Sequence, residues 1–308
     1  MSGFEAIFLE STTGANVRTY VCETNLAPKG VVHINHGMSE HAARYERFAN
    51  DLADKGYHTV AHDHRGHGET TASDAPLGSF ATSEGWKQVL ADVQATNSYI
   101  KERFTTLPVC VFGHSMGATI AASFVLNYPE KADAAAIWNG AVTGLLPNLL
   151  AKLLLVERML KGSDVPSTWA DALTFQAWNR EFKPLRTQSD WLSRDPVEVD
   201  KYIADPLCGF SANIGLWLDL LQGSNDLADM NKISNLNKDM PVHLLAGAAD
   251  PCSNKGGSVE QFSARLEKAG LTDVTKKILP DTRHESLNEI NRDDTTANFI
   301  QWLDGRFG

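Results

Sequence analysis

The sequence contains few cysteines and no long uninterrupted apolar run, and each absence excludes a class of protein. Its four cysteines lie far apart among 308 residues, and none forms a C-x-x-C pair. They therefore indicate neither a disulfide framework nor a zinc or redox motif, and we expect reduced thiols. The longest apolar-rich segment, Leu145 to Leu160, includes Pro147 and the charged residues Lys152, Glu157 and Arg158. It is too short and too polar to span a bilayer.

Positive charge is also scarce. Lysine and arginine total 28 against 38 aspartates and glutamates, which gives a net charge of −10. Phosphate backbones attract basic surfaces, so we expect no nucleic-acid partner. The N-terminal sequence MSGFEAIFLE does not have the basic start and apolar centre of a secretory signal. Together with the reduced thiols, this favours a cytoplasmic protein.

Through most of the chain, short apolar segments rich in β-branched residues alternate with amphipathic segments of helical period. This alternation predicts an α/β fold with a mostly parallel central sheet and helices on both faces. The first two strands are joined by a short turn and are predicted to form an antiparallel hairpin at the sheet edge. The predicted strands are residues 5–10, 16–23, 30–35, 57–61, 108–112, 133–138, 241–246 and 274–279, and the predicted helices are residues 42–55, 84–103, 118–128, 257–269 and 287–303.

A different pattern occupies residues 142–230, where helical segments follow one another and are separated by proline and glycine. We predict an inserted helical cap here, with residues 1–141 and 231–308 forming the core domain. Aromatic residues dominate core burial, so the tryptophans of this segment are expected to fill its core, with one or two lining a ligand cavity: Trp169, Trp178, Trp191 and Trp217. For Leu145 to Leu160, packing against a neighbour is favoured, and transient contact with a membrane surface stays open.

The pentapeptide Gly113 to Gly117 matches G-x-S-x-G and lies between a predicted strand and a predicted helix. A nucleophile elbow has this arrangement, because a serine held in a sharp turn with its hydroxyl exposed needs small neighbours on both sides. Ser115 is therefore the candidate nucleophile.

The chain order nucleophile, acid, histidine identifies candidate partners for Ser115. Two histidines follow it, His243 and His284. His243 lies inside a predicted strand, whereas His284 lies in a polar loop and is the candidate base. Asp250 follows the strand predicted at residues 241–246 and is the candidate acid. Considered without the serine and the histidine, an Asp before Pro would favour a helix N-cap.

An oxyanion that forms when Ser115 attacks a carbonyl needs hydrogen-bond donors. The backbone N–H of Met116 is one candidate, since it follows the nucleophile at a helix N-terminus. The other is the N–H of Met38, in the sequence HGMS after the third strand.

A competing hypothesis concerns the run HDHRGH at residues 62–67. It is similar to the H-x-H-x-D-H metal motif of metallo-β-lactamase-like hydrolases, and imidazoles at this density can bind zinc. Gly66 occupies the position of the motif's aspartate. We therefore favour a hydrogen-bonded loop built around His62, His64 and His67, and predict no metal site.

With these residues assembled, the chain resembles the monoacylglycerol lipase and lysophospholipase-like branch of the α/β-hydrolases along nearly its whole length. The motifs that carry the resemblance are HGMSEHAARY at 36–45, DHRGHGET at 63–70, GHSMGA at 113–118, SRDPVEVDKYIADPLCGF at 193–210, GAADP at 247–251 and RHESLNE at 283–289. Many relatives have GHSMGG where this chain has GHSMGA, a small change at Ala118.

The resemblance implies a Ser115, Asp250, His284 triad with Met38 and Met116 as oxyanion donors. It also implies that the oxyanion loop is supported by Glu40, His41, Asp63 and Arg65.

We expect a cofactor-independent serine hydrolase acting on small esters with one acyl chain, such as a monoacylglycerol, a lysophospholipid, or a simple alkyl or aryl ester. We expect the cap to supply the acyl pocket through Leu149, Leu153, Trp178 and Trp217. A peptidase or thioesterase with the same triad and a ligand-binding protein on a hydrolase scaffold remain alternatives, and the oligomeric state stays open.

Overall fold

The β-branched segments of the sequence form one eight-stranded sheet in the computed structural model, which describes residues 3–140 and 145–308. The strands lie in the order β1-β2-β4-β3-β5-β6-β7-β8. From β4 to β8 along this order every neighbouring pair is parallel, and the antiparallel β1–β2 hairpin lies at one edge, as predicted. The strands are β1 (Glu5–Glu10), β2 (Asn16–Cys22), β3 (Gly30–Asn35), β4 (Tyr57–His62), β5 (Val109–His114), β6 (Ala134–Trp138), β7 (Val242–Gly247) and β8 (Val274–Leu279).

Helices cover both faces of the sheet, and a separate apolar core fills the space under each layer. On one face, Phe48 and Phe299 pack with the strand residues Phe112 and Trp138. On the other face, the core includes Val89 and Ile120. The helices are α1 (Glu46–Ala53), α2 (Gly85–Arg103), α3 (Met116–Asn127), α4 (Leu145–Lys161), α5 (Thr168–Leu173), α6 (Phe175–Asn179), α7 (Pro196–Ala204), α8 (Ile214–Ser224), α9 (Met230–Ser234), α10 (Gly257–Lys268) and α11 (Arg292–Phe307). This architecture confirms the predicted α/β fold class.

Two element boundaries differ from the prediction for identifiable reasons. β5 continues to His114 and α3 begins at Met116, so a single residue makes the turn between them. α11 begins at Arg292, five residues later than apolar periodicity indicated. Before it, the buried Glu289 carboxylate accepts the backbone N–H groups of Arg283 and Arg194 at 2.9 and 3.2 Å. These hydrogen bonds hold a turn where the pattern predicted the first turns of a helix.

In the described residues between β6 and β7, the chain forms six α-helices, α4 to α9. Within the described residues 145–241 the β-type pairing is one isolated bridge, between Pro166 and Asn213. The buried Glu157 links α4 to α5 because it accepts the Ser167 hydroxyl at 2.6 Å. The predicted start of the cap at residue 142 lies outside the described residues, so the boundaries 142–230 stay a prediction. No helix in the described part of the chain combines the length and apolar character that crossing a membrane requires.

The four tryptophans of this helical region divide between packing and cavity lining. Trp191 and Trp217 are buried, whereas Trp169 and Trp178 are partly exposed. Phe175 contacts three of them, with ring centroids 5.6 Å from Trp178, 5.6 Å from Trp191 and 5.7 Å from Trp217. This aromatic cluster lies over the carboxyl edge of the sheet, where the candidate site is found.

Candidate active site

Ser115 makes the whole turn between β5 and α3 by itself. Its backbone angles are φ 57° and ψ −118°, a region that non-glycine residues adopt at an energetic cost. Its N–H donates to the carbonyl of Trp138 at 2.9 Å, which fixes the turn against β6. The strain predicted from the pentapeptide is therefore present at the serine.

Close backbone packing explains the glycines around Ser115. A Cβ on Gly113 would lie 2.1 Å from the carbonyl oxygen of Gly117, and a Cβ on Gly117 would lie 2.1 Å from that of Asn35. A Cβ on Gly140, just after β6, would lie 2.5 Å from the carbonyl oxygen of Ser115. The elbow therefore requires glycine both in its own motif and in the neighbouring loop.

Asp250 and His284 come together beside the elbow because β7 and β8 are adjacent parallel strands whose carboxyl ends share one edge. His284 Nδ1 lies 3.0 Å from Asp250 Oδ1, and both side chains are buried. Burial by itself would raise the pKa of Asp250, but the His284 ring and donated hydrogen bonds hold that pKa below its usual value. The carboxylate stays ionised and can stabilise a positive imidazole.

Two further groups hold the carboxylate of Asp250, and the sequence analysis identified neither. The N–H of Cys252 donates to Oδ1 at 2.9 Å, and the side-chain amide of Asn139 donates to Oδ2 at 3.2 Å. Asn139 Oδ1 in turn accepts the hydroxyl of Ser286 at 2.8 Å. The available signal was the position of Asn139 directly after β6, at the same sheet edge as Asp250.

The loop after β3 lies directly against the elbow. A Cβ on Gly37 would lie 2.7 Å from Glu40 Oε1 and 3.3 Å from the Cβ of Ser115, so a larger residue there would require the neighbouring side chains to shift. The N–H of Gly37 donates to the buried Glu40 carboxylate at 2.6 Å. Met38, which lies between these two residues in the sequence, lines the cavity wall. Met116 is the first residue of α3, so its N–H has no acceptor within the helix.

A buried ionic network supports the loops behind the site. Arg44 donates two hydrogen bonds of 2.8 Å to Glu285 and also pairs with Glu40. Burial raises the pKa of Glu40, but the Arg44 charge and the His114 ring outweigh it and hold that pKa well below its ordinary range. His114 Nε2 lies 3.1 Å from the carbonyl oxygen of His284. The network therefore links the histidine loop to the loop after β3.

Two cavities meet at Ser115. One has a volume of about 300 Å³ and is the more polar of the two, with walls that include Asp171, Gln176, Gln188 and Tyr202. We call it the polar chamber. The other has a volume of about 370 Å³ and mainly apolar walls, and we call it the apolar chamber. Ser115, Met38 and Phe175 line both chambers.

All four residues predicted for an acyl pocket line the apolar chamber: Leu149, Leu153, Trp178 and Trp217. Cys252 also lines it, although the sequence analysis did not select this residue. Burial and the Asp250 charge raise the pKa of the Cys252 thiol well above its ordinary value, a shift that a hydrogen bond with Ser115 partly opposes. This thiol is therefore neutral and contributes apolar surface.

The histidine run at residues 62–67 forms a buried cluster at the carboxyl end of β4, next to β3. His33 Nε2 lies 3.2 Å from His62 Nδ1, and the His36 ring contacts His64 and His67 with centroids 4.4 and 5.3 Å apart. Among the described residues, the ligand atoms of this cluster do not converge in the way a metal ion requires. Burial lowers the pKa of His33 to about 3 and of His67 to about 4, so these rings are neutral.

Comparisons with known proteins show which family the chain is similar to. A family model described as "Serine aminopeptidase, S33" matches residues 27–291. The chain is 27% identical over 280 residues to the monoglyceride lipase of Homo sapiens, covering 86% of this chain and 82% of the relative. It is 26% identical over 284 residues to the monoacylglycerol lipase of Mycolicibacterium smegmatis, covering 90% and 88%.

Solved structures show the same fold. A carboxyl esterase from Bacillus coagulans, in complex with glycerol, superposes with a TM-score of 0.89 at 24% identity and 100% coverage of both chains. A soluble variant of the monoglyceride lipase of Saccharomyces cerevisiae superposes with a TM-score of 0.77 at 18% identity, covering 100% of this chain and 96% of that one.

The family model spans most of the chain, and the sheet order and elbow are those of an α/β-hydrolase. The resemblance inferred from the motifs is therefore confirmed. The chain belongs to the S33 serine hydrolase family, on its monoacylglycerol lipase-like branch.

Proposed function

We propose that the protein is a serine hydrolase that cleaves small carboxylic esters with a single acyl chain. The observation that carries the proposal is the position of Ser115, which is strained, partly exposed and located where a polar and an apolar chamber meet. The two parts of an ester match the two chambers, because an apolar acyl chain lies on one side of the carbonyl and a polar alcohol on the other. The relatives named monoglyceride or monoacylglycerol lipase support this substrate class.

In the proposed mechanism, Ser115 Oγ attacks the ester carbonyl while His284 Nε2 takes the hydroxyl proton. Asp250 accepts the hydrogen bond from Nδ1 and stabilises the imidazolium. The N–H groups of Met38 and Met116 stabilise the oxyanion. The C–O bond to the alcohol then breaks and His284 protonates the leaving oxygen. Water, deprotonated by His284, hydrolyses the acyl-enzyme and regenerates Ser115.

The polar chamber favours an uncharged alcohol over a phosphate head group. Its lining within the described residues includes no lysine or arginine, and it includes the carboxyl group of Asp171 besides Glu40 and Glu285, which are paired with Arg44 behind the wall. A phosphate recognition site normally supplies cationic donors. We therefore propose a neutral polyol ester such as a monoacylglycerol ahead of a lysophospholipid.

The test is a hydrolysis panel of equal acyl chain length. It compares a monoacylglycerol, a lysophosphatidylcholine, a thioester and an aminoacyl amide, with wild type and Ser115→Ala assayed in parallel. We expect the monoacylglycerol to give the highest kcat/KM and Ser115→Ala to lose at least about 10⁴-fold in kcat. A fluorophosphonate probe should label wild type and leave Ser115→Ala unlabelled.

The panel also separates the alternatives. Preferred cleavage of the amide or thioester would replace the ester assignment while keeping the triad. A wild-type protein that neither turns over any member of the panel nor reacts with the probe would be a ligand-binding protein.

Helix α4 supports a second part of the proposal, transient contact between the cap and a membrane surface. Its exposed apolar side chains include Met159 and Leu160, which are 85% and 72% exposed. Interfacial helices insert such side chains below the lipid head groups. Met159→Glu should weaken sedimentation with phosphatidylcholine–phosphatidylglycerol vesicles, whereas Leu26→Glu, at an exposed leucine before β3, should not. Equal sedimentation of both variants would reject this contact.

We also propose a cytoplasmic location, since the thiols of Cys110, Cys208 and Cys252 are not in disulfides, as in a reducing compartment. Cell fractionation tests this.

A further inference from the structure

Among the described residues, a cluster of potential metal ligands lies outside the triad, where the cap meets the loop after β3. It consists of His41, Asp205 and Cys208, whose ligand atoms all lie within 4.8 Å of one another. His41 is buried, and Asp205 and Cys208 are partly exposed. The cluster is therefore held by the protein on one side and open to solvent on the other.

Local structure already orients these three side chains. His41 Nε2 lies 2.8 Å from Asp205 Oδ2, and Asp205 Oδ1 accepts the N–H of Leu207 at 2.9 Å. The N–H of Cys208 donates to the Asp205 carbonyl at 3.0 Å. This turn after α7 presents the carboxylate and the thiol to the same imidazole.

An imidazole nitrogen, a carboxylate oxygen and a thiolate sulfur are the donor types that bind Zn²⁺. Bond lengths of about 2.0–2.3 Å place tetrahedral ligands roughly 3.5 Å apart. The His41 and Asp205 atoms, now 2.8 Å apart, would separate slightly, and any ligand pair as far apart as 4.8 Å would move closer. Three protein ligands leave the fourth position to water, as in open zinc sites. Hard cations such as Mg²⁺ prefer all-oxygen sites and are not expected here.

We propose that His41, Asp205 and Cys208 form a binding site for Zn²⁺ or a similar thiolate-binding divalent ion. On binding, the Cys208 S–H bond breaks, its proton is released to solvent and a metal–sulfur bond forms. The hydrogen bond between His41 and Asp205 is replaced by one metal bond to each residue. No oxidation or reduction is involved.

A bound ion would connect the cap to the loop that carries the candidate oxyanion donor Met38. The two are already joined by hydrogen bonds from Gly209 N–H and the Tyr202 hydroxyl to the Ser39 carbonyl, at 2.9 and 3.1 Å. The Ser39 hydroxyl also donates to the Phe210 carbonyl at 2.6 Å. Because these contacts border the polar chamber, a metal bond across them restrains one wall of the chamber proposed to hold the alcohol, and hydrolysis slows.

Titration with Co²⁺ tests the site directly, since a cobalt–thiolate bond gives a charge-transfer absorption that other ligands do not. We expect one Co²⁺ per chain with this absorption, and Zn²⁺ should displace it. Cys208→Ser should weaken binding about a hundredfold and abolish the absorption. Cys252→Ser, which removes the other partly exposed thiol, should leave both unchanged. Cobalt absorption can be measured whether or not the protein hydrolyses esters. The metal-site proposal and the proposed function can therefore fail independently of each other.

A second measurement follows hydrolysis of a short ester in the presence of Zn²⁺. Wild type and Cys208→Ser should have equal activity without metal, and the variant should need about a hundredfold more Zn²⁺ for half-inhibition. Absence of the thiolate absorption in wild type, its persistence in Cys208→Ser, or equal inhibition of the two proteins would overturn the proposal.

Discussion

Asn139 donates its side-chain amide to Asp250 Oδ2 at 3.2 Å while its own Oδ1 accepts the Ser286 hydroxyl at 2.8 Å. One side chain therefore joins the loops that follow three neighbouring strands, β6, β7 and β8. It fixes the carboxylate on one side and the segment next to His284 on the other. In the proposed mechanism Asn139 is a positioning residue, because it acts through Asp250.

This relationship predicts unequal effects for two substitutions of Asn139. Asn139→Ala removes one of several donors to Asp250 and should lower kcat about tenfold, with little change in KM. Asn139→Asp keeps the shape but places a second negative charge beside Asp250, which should raise the pKa of the acid pair and lower kcat further. Steady-state kinetics on a short ester, with unfolding midpoints measured in parallel, provides the test. Wild-type kcat in Asn139→Asp would contradict the positioning role.

The elbow predicts a sharp difference between two glycine substitutions. In Gly117→Ala the new Cβ would lie 2.1 Å from the Asn35 carbonyl oxygen, and the free energy of unfolding should fall by about 3 kcal/mol or more. Gly305→Ala is the matched control, since Gly305 lies in α11 with no atom within 4 Å of the added Cβ. This change should raise stability by about 0.5–1 kcal/mol. Urea unfolding compares both with wild type, and similar stabilities for the two variants would refute the packing argument.

The buried histidines predict a loss of stability in mild acid. Burial lowers the pKa of His33 and His243 to about 3 and of His67 to about 4 in the folded protein, against about 6.5 in an unfolded chain. Below pH 6.5 the unfolded state therefore binds more protons, and stability falls as the pH drops toward the folded values. Each such histidine contributes a slope of about 1.4 kcal/mol per pH unit in that range.

The comparison should be made between pH 7.5 and 5.5, above the range in which ordinary carboxylates titrate. Burial raises the pKa of Asp219 to about 6, but this group titrates in wild type and variant alike, so the difference between the two proteins reports on the histidine. Urea midpoints should fall over this interval in wild type and fall less in His33→Gln, which removes one of the titrating rings. Identical midpoints at the two pH values would show that these rings are not held neutral by the fold.

Local sequence patterns predicted the parts of the site that depend on chain order. Ser115 could be placed because its glycines and flanking elements are adjacent in sequence, and Asp250 and His284 because each follows a strand. Asn139 also follows a strand directly, but that position alone does not identify its partners. Its contacts depend on the order β6-β7-β8 across the sheet, which no short segment encodes.

The sequence patterns also did not predict which polar side chains are buried. The periodicity of residues 287–303 is helical, yet the buried carboxylate of Glu289 organises a turn there through hydrogen bonds to Arg194 and Arg283. Likewise, the density of histidines at residues 62–67 raised a metal hypothesis, whereas the fold packs these rings against others from β3 and its following loop. Such long-range pairings decide between metal ligation and neutral packing.

The apolar chamber predicts that acyl chain length determines specificity. Each methylene buried there contributes about 0.8 kcal/mol, so kcat/KM on esters of one alcohol should rise about fourfold per added CH₂ and then fall once the chamber of about 370 Å³ is full.

Leu153→Trp adds volume to the chamber wall and should move the optimum to shorter chains. Leu160→Trp, at a 72% exposed position of the same helix that does not line the chamber, should keep the wild-type optimum. Long-chain triacylglycerol should be a poor substrate for all three proteins, because the chamber accommodates one chain. A flat profile from acetyl to decanoyl esters, or an identical optimum in Leu153→Trp and wild type, would show that this chamber does not hold the acyl chain.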